Sequence, residues 1–345
     1  MEGDLESLAK VTLSVAASMT YVRFASSKIR PGKIRLLTLL PVLPLLLYLP
    51  WCFSSIHLRA ISAFFLAWLA LFKLLLLAFG LGPLSPSLPL LPFLSSASLP
   101  VKLLSSSKSK PSSSLSGHRL LSSAIKALLL AALIKLYRYR DDFHQYVLLS
   151  LCSCHVYLAL DLVLASAAAP AAILGLEVEP QFDAPFRAVS LQDFWGHRWN
   201  LMVSAILRPS VYQPVRAPCG TAAGILATFL VSGLMHEVMV YYINSAAPTG
   251  EMTAFFVLHG LCTVSEVWAR KAGLWRPNPV VAVPITIGFV SVTAFWLFFP
   301  PLLRGGEFEQ VLAECVAVVG FLEDAGSALV GWIGLIRNRT EPAVR

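Results

Sequence analysis

Residues 219–243 read CGTAAGILATFLVSGLMHEVMVYYI, and this stretch decides what kind of protein the chain makes. Wound as a helix at 1.5 Å per residue, it is long enough to cross about 30 Å of hydrocarbon. Among Asp, Glu, Lys, Arg and His it holds His236 and Glu237 alone. Comparable apolar runs occupy residues 8–24, 34–53, 61–81, 120–137, 146–164, 252–269 and 280–303, with a weaker ninth at 308–336. The 345 residues are 57% hydrophobic and 13% charged, where a soluble domain carries about 25% charged residues. A water-soluble core cannot absorb that much apolar surface.

The pattern predicts an all-α, polytopic membrane helix bundle of about eight or nine transmembrane helices, with residues 1–345 forming one membrane-embedded unit. Residues 82–117 interrupt it. Pro83, Pro86, Pro89, Pro92, Pro100 and Pro111 each remove a backbone donor, so this Pro/Ser-rich stretch reads as a re-entrant segment running into a loop. The N-terminus is acidic and no small-residue cleavage site follows its first run, which predicts a retained span. With the N-terminus in the lumen, most of the 27 Lys and Arg fall on the cytosolic side. The net charge of +8 does not form the continuous basic face that nucleic acid requires. The six cysteines lack zinc-ligand spacing and read as buried small hydrophobes.

An ionisable residue inside the bilayer is costly and marks a candidate site. His236 and Glu237 point about 100° apart on a helix, so they cannot both face lipid cheaply. Either His236 works in a cavity or it bonds to a neighbouring helix. A metalloprotease needs a second histidine at position 240, which is Val240. Lys73, His155, Asp161, His259 and Glu266 read as helix-to-helix hydrogen-bonding groups.

A second constellation, LQDFWGHRWN at residues 191–200, lies in a cytosolic connection, residues 187–218. On one continuous helix Leu191, Trp195 and Trp199 share a stripe, while Asp193, His197 and Asn200 share another face. That suits an interfacial helix, which is an anchor or the rim of a site. Arg208 and Arg216 sit at the cytosolic mouth of the span bearing His236, where they bind phosphates or set orientation. A proton-coupled transporter using His236, Glu237 and Glu266 is a rival class, although the chain has no clear inverted repeat.

The tryptophan-rich FWGHRWN at 194–200, followed by SGLMHE at 232–237, resembles the signature pair of membrane-bound O-acyltransferases. SKIRPG at 27–32, ISAFF at 61–65, GPLSP at 82–86 and NLMV at 200–203 leading to LRP at 207–209 resemble the plant wax synthase branch, over nearly the whole chain. The resemblance implies His236 as catalytic base, Asn200 as a second catalytic residue, and Trp195, Arg198, Trp199, Arg208 and Glu237 at the substrate site. His197 stands where a basic residue is expected. It further implies a wax-ester-forming acyltransferase of the endoplasmic reticulum membrane, with acyl-CoA as co-substrate and no metal or other cofactor. Its partners would be a long-chain alcohol or a sterol, with diacylglycerol as a further acceptor class, and membrane lipids; oligomeric state is not implied.

Overall fold

A computed structural model describes residues 2–101, 113–173, 180–274 and 277–340. The described residues form helices: α1 (Glu2–Lys28), α2 (Lys33–Leu39), α3 (Val42–Tyr48), α4 (Ile56–Ser62), α5 (Leu71–Ala78), α6 (Leu90–Ser98), α7 (Ser113–Leu136), α8 (Gln145–Ile173), α9 (Leu191–Asp193), α10 (Leu201–Leu207), α11 (Gln213–Asn244), α12 (Glu251–Lys271), α13 (Pro279–Thr293), α14 (Phe299–Leu303) and α15 (Glu307–Thr340). Four wider, π-wound stretches interrupt or extend them, at Ala63–Ala70, Phe194–Arg198, Arg208–Tyr212 and Ala294–Phe298. π-winding is rare and is found mostly at functional sites.

Among the described residues, six helical stretches are long and apolar enough to cross a membrane: Ile56–Ala78, Leu120–Asp142, Gln145–Ala167, Leu201–Asn244, Glu251–Lys271 and Pro279–Leu303. A seventh is the pair α2 and Val42–Cys52, bent by 42° where Pro41 cannot donate to the helix. Among the described residues six or seven stretches meet this measure, where the sequence predicts eight or nine. The runs at 8–24 and 308–336 are helical, as α1 and α15. Lys10 and Arg23 leave the first short in apolarity, and Glu309, Glu314, Glu323 and Asp324 fall in the earlier part of the second.

Within residues 82–117 the nine-residue α6 extends only about 14 Å and cannot cross the bilayer. Phe93 and Ala97 bury it against Val11, Val15, Met19 and Val22 of α1. Lys73, fully buried, donates its Nζ to Ser96 O at 2.7 Å and Leu99 O at 2.6 Å, the orphan carbonyls that end α6. The part of this stretch from 102 to 112 lies outside the described residues. Lys126 of α7 meets Asp161 of α8 at 2.6 Å, and these helices present Leu120, Leu121, Ile125, Leu128 and Leu129 outward as a lipid face. Of the cysteines, Cys152 and Cys315 are buried as expected, but Cys154 and Cys219 are exposed; apolar thiols face hydrocarbon without penalty.

The closest helix pair is α11 and α12. A Cβ on Gly233 would come within 2.8 Å of Thr253 Cα, and one on Gly260 within 3.0 Å of Phe229 Cβ. Small residues that let backbones approach are how helices associate without a hydrophobic drive between them. This pair carries the site.

Candidate active site

The motif at 191–200 is not one helix. α9 continues as the π-wound Phe194–Arg198, Trp199 is extended, and Asn200 turns left-handed with φ 43°. Asparagine tolerates that conformation better than other side-chained residues. The predicted stripe of Leu191, Trp195 and Trp199 is thereby broken, and a new helix begins one residue later. The first three N–H groups of α10 are all satisfied: Leu201 N–H by Gln181 O at 2.9 Å, Met202 N–H by Gln181 Oε1 at 3.1 Å, and Val203 N–H by Asn200 Oδ1 at 3.4 Å. From there the helix runs to Asn244, kinked at Gly220 with φ 86°. Residues 201–218, expected in a connection, belong to this helical run.

α12 holds the motif in place at three points on one face. Glu266 Oε2 accepts from Leu191 N–H at 2.9 Å, Arg270 reaches Val189 O at 3.5 Å, and the Trp195 indole N–H donates to His259 Nδ1 at 3.0 Å. His259 Nε2 then meets Thr293 Oγ1 at 2.8 Å, and Thr293 donates to Phe289 O at 2.7 Å. An indole can only donate. Hence Nδ1 of His259 accepts, Nε2 carries the proton, and the imidazole is neutral and fully committed. His259 and Glu266 bond between elements, as the sequence predicts.

His236 is the opposite case. Its Nδ1 lies 2.7 Å from Ser232 O. A carbonyl only accepts, so Nδ1 carries a proton, and in the neutral ring Nε2 is then the nitrogen whose lone pair can take one up. No partner for Nε2 occurs among the described residues. Phe256 stacks on the ring at 4.1 Å, Trp68 meets it edge-to-face at 4.9 Å, and Phe298 stands at 5.9 Å. Glu237, buried, accepts from Thr253 N–H at 3.1 Å through Oε1, which ties it to the start of α12.

No hydrogen bond joins Asn200 and His236 among the described residues. From Trp199, next to Asn200, rings lead to the histidine: Trp199 meets Trp195 at 6.4 Å, Trp195 meets Phe256 at 5.5 Å, and Phe256 stacks on His236. Trp199 itself packs on Tyr157 and Phe182. Arg198 is engaged by Asp193 Oδ2 at 2.7 Å and Asp183 O at 3.1 Å, whereas Arg208 is exposed with no partner among the described residues. Gln181, Trp68, Phe256 and Phe298 escaped the sequence reading. Only Trp68 and Phe298 carry any signal, and it is a structural one: both lie in π-wound segments.

Two helices meeting at glycines, an intramembrane histidine with a free Nε2, and an Asn-capped turn behind a tryptophan-rich motif agree with the comparisons. A model of the membrane bound O-acyl transferase family matches residues 178–258, which hold both motifs. A long-chain-alcohol O-fatty-acyltransferase of Simmondsia chinensis is 42% identical over 96% of this chain and 99% of its own. The chain belongs to the membrane-bound O-acyltransferase family. A probable long-chain-alcohol O-fatty-acyltransferase 2 of Arabidopsis thaliana is 43% identical over 92% of this chain and 96% of its own. An acyl-CoA–sterol O-acyltransferase 1 of the same plant is 40% identical over 92% and 97%.

Proposed function

We propose that this membrane-bound O-acyltransferase transfers a fatty acyl group from acyl-CoA to a long-chain alcohol, forming a wax ester in the endoplasmic reticulum membrane. The observation that carries the reading is His236, whose Nδ1 is held by Ser232 O and whose Nε2 has no partner among the described residues, inside an apolar, aromatic wall. The alcohol O–H gives its proton to Nε2 as its oxygen attacks the thioester carbonyl. The carbonyl electron pair moves to oxygen, and collapse of that oxyanion breaks the C–S bond. The leaving CoA thiolate takes the proton back from His236, so the enzyme ends unchanged. A thiol of pKa about 8.5 leaves with little help, and this route requires neither an acyl-enzyme nor a metal.

Asn200 supports the reaction from the turn before α10, by its side-chain amide. Trp195 and Trp199 form the wall along which an acyl chain lies. Arg208, exposed and unpaired, suits the CoA phosphates; Arg198, committed to Asp193, shapes the turn beneath them. Glu237 acts at the site by fixing α12 beside His236.

The sterol-acylating relative, at similar identity, supports a second reading in which the acceptor is a sterol. Microsomes expressing the chain, given labelled acyl-CoA with a panel of long-chain alcohols, sterols and diacylglycerol, separate the two. Wax ester as the dominant product is expected. Steryl ester alone would replace the first reading by the second, and no labelled ester with any acceptor would remove both.

A further inference from the structure

Trp68 presents an anomaly beside His236. It is 2% exposed, and its indole nitrogen is shielded from water without a hydrogen-bond partner among the described residues. An indole N–H is a donor only, and a buried donor left unpaired destabilises the folded chain. Such a group in a native structure demands an explanation. Trp195 shows how this fold satisfies a buried indole elsewhere, through His259.

The ring of Trp68 meets the His236 imidazole edge-to-face at 4.9 Å, so the orphan donor belongs to a side chain in contact with the proposed base. The backbone is also unusual there. Trp68 sits in the π-wound Ala63–Ala70, and Phe298 and Trp195, which wall His236 directly or through Phe256, sit in two of the other π-wound segments. Acyl transfer requires donors aimed at an oxygen that becomes charged only during the reaction, and they work best when nothing else competes for them. Asn200 spends only its Oδ1, as acceptor for the α10 cap, and no hydrogen bond joins it to His236 among the described residues.

We propose that Trp68 is a further catalytic residue, whose indole N–H donates to the thioester carbonyl oxygen as it becomes the oxyanion beside His236. This rests on the acyl-transfer reading above. The donor is held in place by the span Ile56–Ala78 and by Phe64, which meets Trp68 edge-to-face at 5.5 Å. The substrate carbonyl, as it displaces the side chains that shield the indole nitrogen, supplies the missing acceptor.

The test is ester synthesis from palmitoyl-CoA and a long-chain alcohol by purified wild-type, Trp68→Phe and Trp68→3-benzothienylalanine protein. The benzothienyl side chain keeps the double ring and replaces N–H by sulfur. Both variants are expected to lose about 10²- to 10³-fold in kcat, with KM for acyl-CoA little changed; the benzothienyl variant, which keeps the ring volume, should unfold at an unchanged or higher temperature, because an unpaired buried donor has been removed. Near wild-type kcat in the benzothienyl variant would overturn the proposal, since ring shape alone would then suffice; so would near wild-type kcat in Trp68→Phe. Should Trp68→Phe fail to insert, the benzothienyl variant decides. The acyl-transfer reading is judged separately by whether wild-type protein makes ester and His236→Ala does not.

Discussion

The indole N–H of Trp195 donates to Nδ1 of His259 at 3.0 Å, and this one bond fixes the tautomer of a fully buried imidazole whose Nε2 then reaches Thr293 at 2.8 Å. Trp195→Phe leaves that imidazole without its donor and is expected to cost about 1–3 kcal/mol of stability. The double variant Trp195→Phe/His259→Phe should lose less than the two single losses added, because the pair acts as a unit. Thermal unfolding in detergent measures it, and strict additivity would show that the bond contributes nothing.

His236→Ala should insert and accumulate normally while ester synthesis falls about 10²- to 10⁴-fold, the range for lost acid–base catalysis. A structural histidine gives the reverse: less protein, with the survivors keeping their specific activity. Membrane fractionation together with specific activity separates the two.

Asn200 holds a left-handed turn as well as an amide, and two substitutions pull these apart. Glycine accepts φ 43° freely, whereas alanine is strained there by about 1–2 kcal/mol. Asn200→Gly should therefore fold better than Asn200→Ala, yet both should lose about 10²-fold or more in kcat if the amide acts on the reaction. An active glycine variant would reduce Asn200 to a capping residue.

Arg208 and Arg198 are both basic residues near the motif, but only Arg198 has an acid partner in the structure. Arg208→Ala is expected to raise KM for acyl-CoA several-fold without changing stability, and the effect should shrink as salt rises. Arg198→Ala should instead lower the unfolding temperature, as should Asp193→Ala. Equal KM values in wild-type and Arg208→Ala protein would remove Arg208 from the CoA site.

Glu314 of α15 offers a pH dependence. Burial raises its carboxyl, but His57 Nδ1 at 2.7 Å, the His57 and Ile56 N–H groups and the Ser55 hydroxyl outweigh burial and bring it down to about 2. A lowered carboxyl contributes stability that is complete above its unfolded value of about 4.3 and disappears as pH falls through about 2. The stability difference between wild-type and Glu314→Gln protein should therefore be constant at neutral pH and shrink steadily below about pH 4. A difference that persists at pH 2 would place the effect in packing instead.

Much of this protein is written in its local sequence. Crossing a bilayer depends on the summed hydropathy of about twenty neighbouring residues, so six long runs and one proline-bent pair are legible without any contact being known. The same sum overrated α1, where Lys10 and Arg23 dilute an otherwise helical run. His236 stood out because a polar residue inside such a run has to be explained, and the FWGHRWN motif because tryptophans and cations cluster there.

What the fold alone decided is everything that depends on residues far apart in the chain or on how a helix is wound. The stripe expected across Leu191, Trp195 and Trp199 assumed 3.6 residues per turn; π-winding and the left-handed Asn200 broke it and sent the two tryptophans to different neighbours. The proton on Nδ1 of His236 follows from Ser232 one turn earlier, but the open Nε2 beside it, and the rings of Trp68, Phe256 and Phe298 around it, come from three other spans brought together by close helix packing. Hydropathy is additive along the chain and survives in the sequence. A hydrogen-bond partner is a matter of angle and distance between helices, and only the packed bundle sets those.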